Sequence, residues 1–276
     1  MRRIYDFGRR PAQRNYTVSD LQALKGPGKR LSMRNPKDAT ELQACVDAGI
    51  DLLTISMDVT EAREIAPTHF IGTGMTWSQF GTPDEILSHA IEDMRNGSDM
   101  YYTLRSYDVV EILAKENIPV QHHIGLIPTF SHWYGGLRAW GRTADEAMEI
   151  YRTLKRMESA GVFAVEVECI AEEVLRAVNE KTSIVTFSLG SGNAGDAVFL
   201  FMADICGEAS EEDSPPKHVH AFGNLGRLHK QMYEERVTAL KAFHGVVTTR
   251  NFPYLEQSVT MHPDEEEKFL EALDKE

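Results

Sequence analysis

The sequence has few cysteines, no long apolar run and a deficit of basic residues. Three cysteines, Cys45, Cys169 and Cys206, are an odd number at wide spacing, which excludes a disulfide framework and a cysteine-rich zinc site. No apolar stretch approaches the roughly 20 residues of a membrane helix. The polar first residues also lack the apolar core of a signal peptide. We therefore expect a cytoplasmic protein with no membrane partner.

The charge balance argues against a nucleic-acid partner. The 276 residues contain 29 Lys and Arg against 42 Asp and Glu, a formal net charge of −13. A broad surface for nucleic acid or anionic lipid needs clustered positive charge. A small anionic substrate in a local basic pocket stays compatible with this composition.

Short apolar runs alternate with amphipathic stretches from about residue 30 onward, with strands predicted at 50–55, 118–120, 162–167 and 184–189. Thr82 with Glu85 and Thr143 with Glu146 have the spacing of capping boxes, which begin helices. This alternation is typical of βαβ units in a parallel sheet. About eight such units without a flexible linker predict a single (β/α)8 barrel over residues 1–276. We expect an N-terminal extension over about 1–28 and a charged C-terminal tail over about 262–276.

Polar residues follow two of the predicted strands. His122 and His123 come after strand 118–120, and Glu166 and Glu168 alternate at the end of strand 162–167. In a (β/α)8 barrel the carboxyl ends of the strands form the active-site face. Glu168, the more C-terminal glutamate, is the better candidate for a base at the barrel mouth. A buried structural histidine and a salt-bridged carboxylate are the alternative interpretations.

Several segments, in this order, resemble the ketopantoate hydroxymethyltransferase family, over about residues 16–253. They are AGID at 48–51, IPVQHHIGLIP at 118–128, AGVFAVEVEC at 160–169, LGSG at 189–192 and DICG at 204–207. The resemblance implies a TIM-type barrel of the phosphoenolpyruvate/pyruvate-domain kind. It also implies a homo-oligomer acting in pantothenate biosynthesis.

The resemblance implies a reaction and its residues. The family transfers a hydroxymethyl group from the co-substrate 5,10-methylenetetrahydrofolate to the enolate of 3-methyl-2-oxobutanoate, which a magnesium ion holds. It implies catalytic roles for Glu168, which moves the proton, and for His123 in the substrate pocket. The implied substrate-binding residues are Ser32, Asp38, Ser56, His122, Gly190 and Ser191.

The sequence departs from the family at the metal. Met57, Gly74 and Leu104 stand where the resemblance places metal-contacting carboxylates, and Tyr102 stands in place of a lysine. Gly and Leu offer no side-chain oxygen to a hard cation. We therefore predict a rebuilt metal site in which Asp58 and His69 are ligands. With His122 as a further nitrogen donor, it would favour a divalent metal softer than magnesium.

Three functions are compatible with these residues. The first is hydroxymethyl transfer, or related aldol-type chemistry, on a small 2-oxo acid through an enolate. The second is a divergent carbon–carbon lyase or mutase acting on a small oxo acid with an altered metal or none. The third is a barrel without catalysis that serves as a binding or assembly subunit.

Overall fold

The computed structural model describes residues 2–25, 28–208 and 216–276. These residues form two compact units, each described here by itself. One runs from the amino terminus to Gly207 and includes residues 216–223, and the other includes Asn224–Glu276. No helix in the described ranges is both long enough and apolar enough to cross a membrane.

The first unit is a closed barrel of eight parallel strands, which confirms the predicted (β/α)8 fold. The last of these strands pairs with both the one before it and the first, which closes the barrel. The strands are β3 Leu31–Arg34, β4 Leu52–Thr54, β5 Phe70–Gly74, β6 Met100–Tyr102, β7 Val120–Gly125, β8 Val162–Glu168, β9 Val185–Leu189 and β10 Ala197–Phe199.

Helices alternate with most of these strands. They are α2 Ala39–Ala48, α3 Val59–Ile65, α4 Pro83–Asn96, α5 Tyr107–Lys115, α6 Ser131–Tyr134, α7 Ala144–Ala160, α8 Glu172–Asn179 and α9 Met202–Cys206, with a 3₁₀ turn at Pro128–Phe130. The capping box predicted at Thr82 and Glu85 begins α4, and Thr143 accepts a hydrogen bond from the backbone N–H of Glu146 at the start of α7. These caps satisfy backbone donors that have no acceptor within the helix.

A short N-terminal segment precedes the barrel. Strands β1 (Arg2–Tyr5) and β2 (Pro11–Arg14) form an antiparallel hairpin, and helix α1 (Val18–Gln22) follows. Leu21 of α1 is fully buried in the cluster formed by the barrel's inward-facing residues. The second unit contains α10 (Leu225–Thr248), a 3₁₀ turn at Leu255–Gln257 and α11 (Glu265–Leu273). No residue of α10 or α11 is buried.

Side chains of the barrel strands form two cores, one inside the barrel and one between the strands and the surrounding helices. Met100 and Ala164 join the inner cluster with Leu31, whereas Tyr101 and Val165 pack outward against the helices. Residues two apart in a strand share a face. Tyr102, His123, Glu166 and Glu168 therefore point into the barrel, near the carboxyl ends of their strands.

A buried ion cluster lies at the opposite, amino end of the barrel. Asp99, which precedes β6, binds Arg14 Nε at 2.9 Å and Arg63 Nη2 at 2.6 Å, and all three side chains are largely excluded from water. Asp99 also accepts a hydrogen bond from the Ile71 N–H at 3.0 Å. One carboxylate thus joins the hairpin, α3 and two barrel strands.

Asp99→Asn should lower the free energy of unfolding by about 3–5 kcal/mol, because two buried guanidinium groups would lose their counter-ion. Urea denaturation followed by circular dichroism measures the change. Glu111→Gln is the matched control, since its pair with Lys115 is exposed on α5 at 3.6 Å and should contribute less than about 1 kcal/mol. Equal stability of the two variants would contradict a stabilising role for the cluster.

Candidate active site

Strands β7 and β8 bring one histidine and two glutamates together inside the barrel. In their parallel register His123 lies opposite Glu166, and Gly125 lies opposite Glu168. His123 Nε2 is 3.2 Å from Glu168 Oε2. One nitrogen or oxygen from each of His123, Glu166 and Glu168 lies within 4.8 Å of the others. We call these three residues the His–Glu cluster.

Burial and mutual charge perturb this cluster. Burial raises the pKa of Glu166; the Glu168 carboxylate raises it further, whereas His123 acts to lower it. Burial acts to lower the pKa of His123, but Glu166 and Glu168 outweigh it and leave that pKa above its ordinary value. His123 and Glu166 therefore retain their protons to higher pH than they would as isolated groups.

Tyr102 orients the imidazole. Its hydroxyl lies 3.2 Å from His123 Nδ1. Burial, followed by the charges of Glu166 and Glu168, raises the pKa of Tyr102, so the phenol stays protonated. A partner on one ring nitrogen fixes the orientation of the ring and directs the other nitrogen, here Nε2, toward the two carboxylates.

Two cavities of the barrel unit are lined by Tyr102 or by His123. The first, about 790 Å³, is lined by the ends of β4–β6 and includes Tyr102 and Leu104. The second, about 780 Å³ and mainly apolar, reaches His123 and is walled by aromatic side chains such as Trp77 and Trp140. Both volumes suit a small organic ligand.

Two of the predicted substrate and metal residues line the first cavity. Ser56 and Asp58 lie there together with Met57 and Gly74. Asp58 also caps α3, because one carboxylate oxygen accepts hydrogen bonds from the Thr60 and Glu61 N–H groups at 2.9 and 3.0 Å.

The metal site that we predicted from Asp58, His69 and His122 is not assembled. His69 directly precedes β5, at the amino end of the barrel, whereas Asp58 follows β4 at the carboxyl end. His122 points outward, with Nε2 3.1 Å from the Arg105 carbonyl oxygen and its ring against Tyr107. Burial lowers the pKa of both His69 and His122.

Four other predicted residues have structural partners. The Ser32 hydroxyl donates a hydrogen bond to Asp51, which lies at the amino end of β4. Asp38 caps α2, because its carboxylate accepts a hydrogen bond from the Glu41 N–H.

The Ser191 hydroxyl, after β9, donates to the Val167 carbonyl and accepts from the Ile170 N–H, both at 2.8 Å. Gly190 has a positive φ of 68°. A Cβ added to Gly190 would meet the His218 ring. The substrate-binding role of all four residues stays a prediction.

Gly74 and Tyr102 are sterically linked. They are register partners on β5 and β6. A Cβ at position 74 would lie 2.6 Å from Tyr102 Cβ and 2.7 Å from its carbonyl oxygen. An aspartate therefore cannot replace Gly74 unless β5 and β6 separate.

The magnesium site that the resemblance implied requires side-chain oxygens at positions 57, 74 and 104. Met57, Gly74 and Leu104 all line the first cavity, and none has a side-chain oxygen. A magnesium ion held by carboxylates at these positions does not fit this chain. In the described part of the chain, the side chains that converge closely enough to hold a metal ion are those of the His–Glu cluster.

Glu166 and Tyr102 complete the site for which the sequence predicts His123 and Glu168. The two-residue spacing of Glu166 and Glu168 indicates a shared face, but the more C-terminal position favours Glu168 as the base. The contact of Tyr102 with His123 depends on how β6 and β7 pair. Cys169 Sγ also lies 3.7 Å from His218 Nδ1. The sequence contains no motif that predicts this contact.

Gly74→Ala should destabilise the barrel by about 1–3 kcal/mol, because the new methyl group is forced against β6. Chemical denaturation measures the loss. Gly28→Ala is the control, since a Cβ at Gly28 meets no atom of the described residues within 4 Å. If both variants unfold at the same denaturant concentration, the close contact between Gly74 on β5 and Tyr102 on β6 is contradicted.

Comparison with known proteins identifies the family. Residues 66–254, more than half of the chain, match the family described as ketopantoate hydroxymethyltransferase. The 3-methyl-2-oxobutanoate hydroxymethyltransferase of an Anaeromyxobacter species is 25% identical over 272 residues, covering 87% of this chain and 86% of the relative. The enzyme of the same name from Thermotoga maritima is 27% identical over 269 residues, covering 88% of this chain and 96% of the relative.

A solved structure shows the same fold. It is the carboxyl transferase domain of Rhizobium etli pyruvate carboxylase, with pyruvate and biocytin, at a TM-score of 0.51 and 12% identity. The match covers 68% of this chain and 42% of that one. At this identity the likeness supports the barrel alone. The family match over residues 66–254 decides the relationship: the chain belongs to the ketopantoate hydroxymethyltransferase family.

Proposed function

We propose that this protein transfers a hydroxymethyl group to a small 2-oxo acid, through its enolate, at the mouth of the barrel. The named relatives support this reaction class. The observation that carries it in this chain is the buried pair of His123 Nε2 and Glu168 Oε2 at 3.2 Å, beside a cavity that reaches His123. The proposed acceptor is 3-methyl-2-oxobutanoate, and the proposed one-carbon donor is 5,10-methylenetetrahydrofolate.

Glu168 is the proposed base. Forming the enolate requires loss of the proton on C3, the carbon next to the keto group. Glu168 is only 9% exposed and is held at the carboxyl end of β8, where barrel enzymes place their catalytic groups. A positioned carboxylate can take that proton by general base catalysis. Water releases the methylene carbon of 5,10-methylenetetrahydrofolate from its two nitrogens at the oxidation level of formaldehyde, leaving tetrahydrofolate. The enolate carbon then adds to that carbon, and the oxygen takes up a proton to complete the hydroxymethyl group.

His123 supplies charge beside the reacting oxygen. Glu166 and Glu168 hold the pKa of His123 above its ordinary value, which favours the imidazolium. A fixed positive charge in a site shielded from water stabilises negative charge that develops on an enolate oxygen. Tyr102, on Nδ1, keeps the ring in place without rearrangement during the reaction.

The magnesium ion of the family, when bound, would acidify C3 by drawing electron density from the keto oxygen. Since positions 57, 74 and 104 offer no side-chain oxygen here, no step is assigned to that ion. Enolate formation is assigned to Glu168 and His123 instead. The homo-oligomer stays a prediction from the resemblance, which light scattering tests, and the cytoplasmic location stays a prediction from the sequence.

Glu168→Gln should slow exchange of the C3 proton of 3-methyl-2-oxobutanoate with D₂O by about 10²–10⁴-fold, because an amide cannot accept the proton. Proton NMR follows this exchange without any folate. Glu111→Gln, on the exposed face of α5, is the control and should exchange at the wild-type rate.

Two results would count against the proposal. One is a wild-type protein that does not catalyse the exchange, and the other is a Glu168→Gln variant that exchanges as fast as wild type. Cleavage or isomerisation of an oxo acid without folate would instead support the lyase or mutase hypothesis.

A further inference from the structure

We propose that His123, Glu166 and Glu168 bind one divalent transition-metal ion, and that the bound ion withdraws Glu168 from proton transfer. The metal-binding part stands on geometry alone, and the inhibitory part rests on the proposed function. The site differs from the one implied by the family resemblance, which involves positions 57, 74 and 104.

The first observation is the convergence of three donors. One nitrogen or oxygen from each side chain lies within 4.8 Å of the others. All three residues belong to β7 or β8, which pair along six residues. Strand-borne ligands are held more firmly than loop-borne ones, so the site is largely formed before an ion arrives.

The second observation is an unpartnered nitrogen. His123 is 4% exposed, and its Nε2 has no hydrogen-bond partner among the described residues. Glu168 Oε2 is close, at 3.2 Å, but the ring nitrogen is not aligned with it for a hydrogen bond. Tyr102 occupies Nδ1, the arrangement by which a second partner orients a metal-binding histidine.

The third observation is a pair of carboxylates whose nearby basic side chain is a single histidine, His123. No lysine or arginine of the described ranges pairs with Glu166 or Glu168, and His123 is the basic partner of Glu168. Bringing two carboxylates together away from water is costly without a cation. A divalent ion would neutralise both carboxylates and take the place of a proton on His123 Nε2.

The donor set selects the metal. One imidazole nitrogen and two carboxylates are suited to Zn²⁺, Co²⁺, Mn²⁺ or Fe²⁺, whereas Mg²⁺ prefers oxygen ligands and retains waters. Three protein ligands leave a coordination position open. An ion at this point uses Nε2 and an oxygen of Glu168, so metal-bound protein lacks the free base that enolate formation needs.

The test compares stripped and loaded protein. The chain is treated with a chelator, dialysed, and loaded with Zn²⁺ or Co²⁺; metal content and the visible absorption of Co²⁺ are then measured. One ion per chain is expected, and millimolar Mg²⁺ should not displace it. Tyr102→Phe should weaken binding by about 10–100-fold, the usual effect of losing a partner that orients a ligand.

Glu166→Gln is the direct variant and should lose at least tenfold in Zn²⁺ affinity, while Glu111→Gln binds as wild type. Circular dichroism establishes that each variant is folded. If Glu166→Gln does not fold, the Tyr102→Phe affinity and competition of wild-type protein with a coloured zinc chelator decide the question.

The outcomes separate the two proposals. Absence of stoichiometric Zn²⁺, or equal affinity in wild type, Glu166→Gln and Tyr102→Phe, overturns the metal site. Zn²⁺-loaded protein that exchanges the C3 proton as fast as stripped protein overturns the inhibitory part. Stoichiometric Zn²⁺ with no exchange in either form leaves the metal site supported and overturns the proposed function.

Discussion

The pairing of β7 with β8 is the constraint on which the site depends. Six residues of β7 pair with β8, and His123 stands opposite Glu166. At Gly125 a Cβ would collide with the Glu168 carbonyl oxygen, so the absence of a side chain lets the strand ends approach closely. A shift of one residue would turn both glutamates outward among the helices. Parallel hydrogen bonding thus determines which charges meet.

Much of the fold was predictable from the sequence, because helical and strand periodicities are local. The alternation of elements and the capping residues at Thr82 and Thr143 required no knowledge of distant contacts. His123 and Glu168 were predictable because they follow apolar strands. The contact of Tyr102 with His123 and the part played by Glu166 depend on register between strands, which a single sequence does not encode locally.

The predicted metal ligands Asp58 and His69 lie at opposite ends of the barrel. Asp58 and His69 are only eleven positions apart in the chain, yet one follows a strand and the other precedes the next. Helix α3 returns the chain from the carboxyl end of the barrel to its amino end. Asp58 and His69 are therefore close in sequence but lie at opposite ends of the barrel. The Gly74–Tyr102 pair adds a steric reason why a carboxylate on β5 is incompatible with this barrel. Negative charge lies on β8 instead.

The hydroxyl of Tyr102 on His123 Nδ1 has a consequence for evolution as well as for chemistry. With that contact the imidazole has little freedom to turn, so its Nε2 is presented in the same direction in every molecule. Neighbouring residues can then change to accommodate different ligands, while His123 Nε2 remains as a polar atom at the same position. A barrel with such a fixed point is well suited to acquiring new chemistry by substitution around it.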